Sequence, residues 1–313
     1  MNNNPTGNIY DMPFYNHKTI VTITLLFCCL FVSGCLGDGE NTTGSVANES
    51  LIERAESFED LSIFTQYADS VELSSSFEDS KFYTVFAPTD QIFDRLPEGT
   101  LDTLSREQLG EVLTYHVADT ALFTSEFSPG LELSTLQGEH LFLGVGANSV
   151  FVNDAKLLAG NIQANNGVLH AVDKVLFPDK YLDVASLIEK RFVLNTMEVA
   201  LTEAQYTDSL RVNSPNGFTV FAPSNEAFNN FNPPAVQAAL KDTLKYHVLP
   251  QKMLASDFQS TQSLETLNGQ QLTIQKNGNS ITVNDSISVT ESDIVGTNGV
   301  VHIVDKIIIP PSE

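Results

Sequence analysis

Past residue 35 the chain has no cysteine, and it has no tryptophan anywhere; the three cysteines are Cys28, Cys29 and Cys35. The folded part therefore holds no disulfide, thiolate nucleophile or cysteine-based zinc site, and its stability must come from core burial. Positive charge is scarce as well. Only 16 Lys and Arg stand against 39 Asp and Glu in 313 residues, a formal net charge of −23. A phosphate-tracking surface needs clustered bases, so nucleic acid and anionic headgroups are excluded as charge-driven partners. Nucleophile elbows (G-x-S-x-G), phosphate loops (G-x-x-x-x-G-K-[ST]) and EF-hand spacing are missing too. Gly144-Val145-Gly146 lacks the third glycine of a dinucleotide fingerprint and reads as a twisted β-segment. The reading is of a protein that is not an enzyme, with no catalytic residues, no metal and no cofactor.

Apolar residues are present in quantity, 42% of the chain with 20 Phe, enough to build cores, and the length allows two domains. Lys18 is followed by the apolar run Thr19 to Val32, 14 residues long. A bilayer span needs about 20 residues, so the run suits the core of an export signal. Val32-Ser33-Gly34-Cys35 resembles the prokaryotic lipobox. That resemblance implies a signal peptide over 1–34 and acylation of Cys35, with several buried chains anchoring the protein to a membrane. Residues 35–49 are polar and Gly-rich and are expected to form a flexible tether. Leu36 follows the cysteine where an Asp commonly retains Gram-negative lipoproteins at the inner membrane, so the outer membrane is favoured in such an organism.

The rest of the chain is written twice. T-V-F-A-P-T-D-Q-I-F (84–93) returns as T-V-F-A-P-S-N-E-A-F (219–228), and Tyr115-His116-Val117 returns as Tyr246-His247-Val248. Val152-Asn153-Asp154 returns as Val283-Asn284-Asp285. N-G-V-L-H-A-V-D-K (166–174) returns as N-G-V-V-H-I-V-D-K (298–306), all at offsets of 131 to 135 residues. Repeats of this length are whole domains, far longer than the roughly 20–50 residues of a solenoid unit. The boundary falls near Pro178-Asp179-Lys180, and so short a connection should restrict how the domains turn relative to each other.

Periodicity within each unit is mixed. Leu61, Phe64, Ala68 and Val71 recur at helical spacing, whereas F-Y-T-V-F-A (82–87) reads as a buried strand ending at Pro88. Thr89 and Ser224 stand where N-caps belong, Ser105 to Gln108 is a capping box, and Pro233-Pro234 opens the matching helix of the second unit. Strand-like segments flank Lys276-Asn277-Gly278-Asn279, a hairpin turn, and Asn166-Gly167 and Asn298-Gly299 suit tight turns before a last strand. Helices first and strands last give an α+β fold class.

The set T-V-F-A-P-[TS]-[DN]-x-x-F, Tyr-His and N-G-V-x-H-x-[VI]-D-K closely resembles the fasciclin-like domain, in copies over 50–178 and 181–310. The resemblance implies two tandem domains, each a twisted β-wedge packed with helices, and a role in cell adhesion or matrix binding. In animal members, Tyr-His segments and an Asp-Ile pair are implicated in integrin adhesion. The matching candidates here are Tyr115, His116, Tyr246, His247, Asp293 and Ile294, and the first domain has Asn161 before Ile162 where the second has Asp293. His116, His170, His247 and His302 fall at duplicated places and are expected to support the fold by bonding to backbone. The implied partner is an extracellular or cell-surface protein; a glycan is the alternative, weakened by the absence of Trp. The second domain, farther along the chain from the anchor and carrying Asp293-Ile294, is expected to bear most of the adhesion.

Overall fold

The computed structural model describes residues 48–146, 149–229, 231 and 237–311. The export signal, Cys35, most of the tether and Pro233-Pro234 lie outside the described residues.

In the first copy, Ser50 opens α1 (Leu51–Glu56) with a reciprocal capping box to Glu53. Helix α2 (Ser62–Ser70) buries Phe64 and Ala68 on the expected face. Strand β1 (Tyr83–Pro88) is buried along its whole length, while Phe82 stays outside it and exposed. Thr89 precedes α3 (Asp90–Phe93), but its hydroxyl caps nothing. Its neighbour Asp90 reaches back to α2 instead, accepting from the Ile63 N–H at 2.8 Å and the Ser62 hydroxyl at 2.6 Å. Helix α4 (Arg106–Tyr115) starts at the capping box of Ser105 and Gln108, and its Leu109, Val112 and Leu113 face the core.

The other strands are β2 (Val117–Ala118), β3 (Glu132–Ser134), β4 (His140–Val145), β5 (Val150–Val152), β6 (Ala155–Ala164) and β7 (Gly167–Val172). They form a seven-stranded sheet in the order β2-β1-β7-β6-β5-β4-β3. Among the described residues of this copy only β1 and β7 pair in parallel, from Tyr83 opposite Gly167 to Pro88 opposite Val172. A Cβ on Gly167 would stand 2.0 Å from the Tyr83 carbonyl oxygen, so the Asn-Gly pair is glycine because of this close approach. The edges curl towards each other. Asp119 N–H donates to Ser134 O at 3.0 Å and Leu136 N–H to Val117 O at 2.9 Å, which nearly closes the sheet.

The second copy repeats this plan with α5 (Val184–Glu189), α6 (Asn195–Glu203), α7 (Thr207–Arg211), β8 (Phe218–Pro223), α8 (Gln237–Tyr246) and β9 (Val248–Leu249). Strands β10 (Thr261–Glu265), β11 (Gln271–Asn277), β12 (Ser280–Val283), β13 (Ile287–Val295) and β14 (Gly299–Val304) complete it. Its order is β10-β11-β12-β13-β14-β8-β9, and Gly278-Asn279 makes the two-residue turn between β11 and β12. Here Ser224 does cap the next turn, and Asn225 takes the place of Asp90 by accepting from Thr196 N–H. Pro250 stands where Asp119 donates and has no N–H, so the seam keeps Leu267 N–H to Val248 O without its neighbour.

Each copy has one core between helices and sheet, around Phe64 and Leu169 or Leu201 and Val301, and another inside the curl, around Phe86 and Leu143 or Phe221 and Ile274. Each buried Leu, Ile or Phe there stabilises by about 1.5–3 kcal/mol, which replaces disulfides as the source of stability. The fold is α+β, with one departure from helices first and strands last. Strands β1 and β8 come early and sit inside the sheet, next to the edge strands β2 and β9, where pairing with the final strand joins the two ends of each copy.

Candidate functional site

The two Tyr-His pairs close the C-terminal ends of α4 and α8, where the last turn of helix meets the sheet. All four side chains are buried. Tyr115 donates its hydroxyl to the His140 carbonyl at 2.8 Å and accepts from Asn153 Nδ2 at 3.1 Å; Tyr246 does the same with Gln271 and Asn284. Both Asn residues are in left-handed backbone at the duplicated Val-Asn-Asp, where Asn strains less than most residues. The His116 ring donates from Nδ1 to Val112 O at 2.8 Å and accepts at Nε2 from Leu176 N–H at 2.9 Å. His247 repeats this with Thr243 and Ile308. Both nitrogens are engaged with backbone, so no lone pair is left for a metal. Burial outweighs the backbone bond and holds both imidazoles down to about 4, hence neutral at ordinary pH. The four side chains named as adhesion candidates thus lie beneath the helix ends, with at most 1% of their surface exposed.

His170 and His302 lie in β7 and β14 and brace a bulge in the neighbouring strand. Nε2 donates to Leu122 O or Met253 O, each at 3.0 Å, and Nδ1 accepts from the N–H of Asn161 or Asp293. Burial pushes both imidazoles below their ordinary pKa. Phe86 stacks on His170 with ring centres 5.4 Å apart, and Phe221 packs on His302 at 5.6 Å. Asn161 and Asp293 both have positive φ at register shifts of β6 and β13. Asp293 accepts from Ala255 N–H at 2.7 Å, and Asn161 accepts from Thr124 N–H at 2.8 Å. The substitution that seemed to set the copies apart thus leaves the same bond in place. Ile294 is buried in the second core, and Ile162 packs against the first.

Other duplicated polar residues are used inwardly too. Thr84 and Thr219 hold the loops after β2 and β9, while Asn166 and Asn298 cap α1 and α5. Asp173 and Asp305 accept from Lys156 and Ser288 N–H groups and fasten the ends of β6 and β13.

Where the copies meet, unduplicated charges are buried. Asp179 of the connection lies 2.5 Å from Lys190 Nζ and 2.6 Å from Arg191 Nη2, at the end of α5. Glu139 of the first copy accepts from Asp179 N–H at 2.8 Å. The Lys190 ammonium stands 4.8 Å over the Tyr115 ring, and the Arg191 guanidinium 5.1 Å over Phe142. Burial pulls the Asp179 carboxyl up, but Arg191 and Lys190 outweigh it and keep it below the usual carboxylate range. Lys180 and Tyr181 both engage Glu111 on α4. Tyr115, read as a surface contact, is therefore part of the floor on which the second domain sits. The adjacent bases Lys190-Arg191, after an apolar helix in a base-poor chain, were the sequence signal for this junction.

Sheet order, bulges and buried Tyr-His pairs define a tandem pair of wedge-shaped domains with a common hydrogen-bond skeleton. The Fasciclin domain family model matches residues 59–178 and 193–310, and the chain belongs to that family. It is 30% identical to human periostin over 265 residues, covering 83% of this chain and 31% of periostin. It is also 30% identical to transforming growth factor-beta-induced protein ig-h3 of Sus scrofa over 237 residues, 72% of this chain and 34% of that one. The chain spans about a third of the length of these relatives. In fold it is similar to a solved FAS1 domain pair from the insect cell adhesion molecule fasciclin I, with TM-score 0.51 and 17% identity over 80% of this chain and 97% of that one. Among the described residues no helix is long and apolar enough to cross a membrane.

Proposed function

We propose that the chain is an extracytoplasmic adhesion protein, held at the cell envelope by lipid on Cys35, that binds a matrix or cell-surface protein through the outer faces of its fasciclin pair. The observation that carries this reading is the inward use of the duplicated polar residues. They hold helix ends, bulges and loops, which leaves recognition to surfaces. Tyr115, His116, Tyr246, His247, Asp293 and Ile294 serve adhesion indirectly, by keeping those surfaces in shape. Because Asn161 does the work of Asp293, that residue gives no reason to place binding in the second domain alone, and the pair is the binding unit.

The test is attachment of vesicles bearing the full lipidated chain to surfaces coated with matrix proteins or with glycans. Attachment to protein supports the reading; capture by glycans alone replaces its ligand, and attachment to neither removes it. Mass spectrometry of the membrane fraction should find lipid on an N-terminal Cys35 peptide. An unmodified Cys35 inside a longer peptide contradicts the anchor.

A further inference from the structure

A cleft of about 320 Å³ opens between the β4–β5 hairpin of the first domain and helices α5 and α6 of the second. Phe151 and Phe192 wall it, and Gly144 lies between them: a Cβ there would be 3.5 Å from Phe151 Cβ and from Phe192 Cδ2. Its charged lining is Asp154, Lys174, Glu189 and Glu198. Lys174 pairs with Asp154 at 2.6 Å, and Arg211 from α7 pairs with Glu189 at 2.5 Å. Glu198 has no ion pair or hydrogen bond among the described residues, and burial together with Glu189 and Asp154 raises its pKa against the weaker pull of Lys174. Exposed Val145 lines the cleft, and exposed Val199 lies beside it on the face of α6 that carries Asn195.

We propose that this interdomain cleft binds an arginine side chain from an extended segment of the protein partner. The guanidinium would pair with Glu198 and lie against the Phe151 and Phe192 rings, which suit a flat, weakly hydrated cation. Val145 and Val199 would take apolar residues on either side. The cleft lining has two carboxylates more than bases, and a chain of net charge −23 draws basic segments towards it. The second copy cannot build the same cleft from its own hairpin, because Gln275 and Asn277 stand where the first has Gly144 and Gly146.

The proposal rests on the adhesion reading but is tested apart from it. Capped Leu-Arg-Leu, Leu-Gln-Leu and Leu-Glu-Leu tripeptides are titrated into the full chain while the Gly144, Gly146 and Glu198 amides are followed by NMR. The arginine peptide should shift these signals saturably and bind about tenfold or more tighter than the glutamine peptide, ~1.4 kcal/mol. E198Q should erase that preference. G144I should abolish saturable binding, and if it does not fold, E198Q decides. Equal binding of arginine and glutamine peptides, no saturable shift, or a preference that survives E198Q overturns the proposal. If the chain attaches to matrix while the peptides fail, only the cleft assignment falls; if the peptides bind while the chain attaches to nothing, the adhesion reading falls.

Discussion

The two domains share a skeleton and differ at the place where they touch. Tyr115 and Tyr246, His116 and His247, His170 and His302, and Asn161 and Asp293 make matching bonds in each copy. Lys190 and Arg191, by contrast, follow α5 where Ser57 and Phe58 follow α1. Ser57 is exposed and only caps its own helix end, whereas Lys190 is buried against Asp179 and over Tyr115. What the copies share builds a domain, and what they do not share joins the two. The residues that make the duplication easy to see are for that reason poor candidates for contacting a ligand.

The largest effect should come from breaking the junction. Asp179→Ala leaves Arg191 buried without its carboxylate and Lys190 with only Glu139 at 3.8 Å, and loss of one partner of a buried pair costs about 3–5 kcal/mol. Ser57→Ala, at the place equivalent to Lys190, should cost no more than about 0.5 kcal/mol, as expected at an open surface. Urea denaturation of the full chain compares them. Similar values would mean that the junction adds nothing to stability.

Acid should act on both domains alike. The four imidazoles have folded pKa values below their unfolded value of 6.5, so their contribution is complete above that pH. It is lost as the pH falls, until about 4 for His116 and His247. His116 and His247 should each remove about 1.4 kcal/mol per pH unit within that window. Denaturation series from pH 7 to about 4 should show parallel losses in the two domains, and His116→Gln and His247→Gln should each flatten the slope of their own domain. A loss confined to one domain would break the equivalence.

Smaller and more diagnostic are the bulge residues. Asp293→Ala and Asn161→Ala should each cost about 1 kcal/mol, by leaving the Ala255 or Thr124 N–H without its acceptor. Asp293→Asn should cost no more than about 0.5 kcal/mol, since asparagine does this work in the first domain. Matrix attachment should survive that change. Its loss with an unchanged melting temperature would restore Asp293 as a contact residue.

Much of this was legible in the chain. Landmark spacing gave the duplication, the Ser105–Gln108 box and the β11–β12 turn formed where read, and β-branched runs marked the central strands. The bulges were not legible. In β6 and β13 the extra residues disturb the two-residue alternation, and a left-handed Asn or Asp in a polar stretch carries no periodic signal. Inward use of Tyr115 and Tyr246 depends on the backbone of a strand 25 residues away, at His140 and Gln271, which local pattern does not register. Thr89 has the composition of a cap without making one, although Ser224 caps the equivalent turn of the second copy.

The central claim is that residues outside the shared skeleton hold the two like domains in one fixed orientation. Residual dipolar couplings of the full chain, as wild type and as Asp179→Asn, test it most directly. Couplings from both domains of the wild type should fit one alignment tensor, and those of the variant should need two. Two independent tensors in the wild type, or a single one unchanged in the variant, would contradict the account.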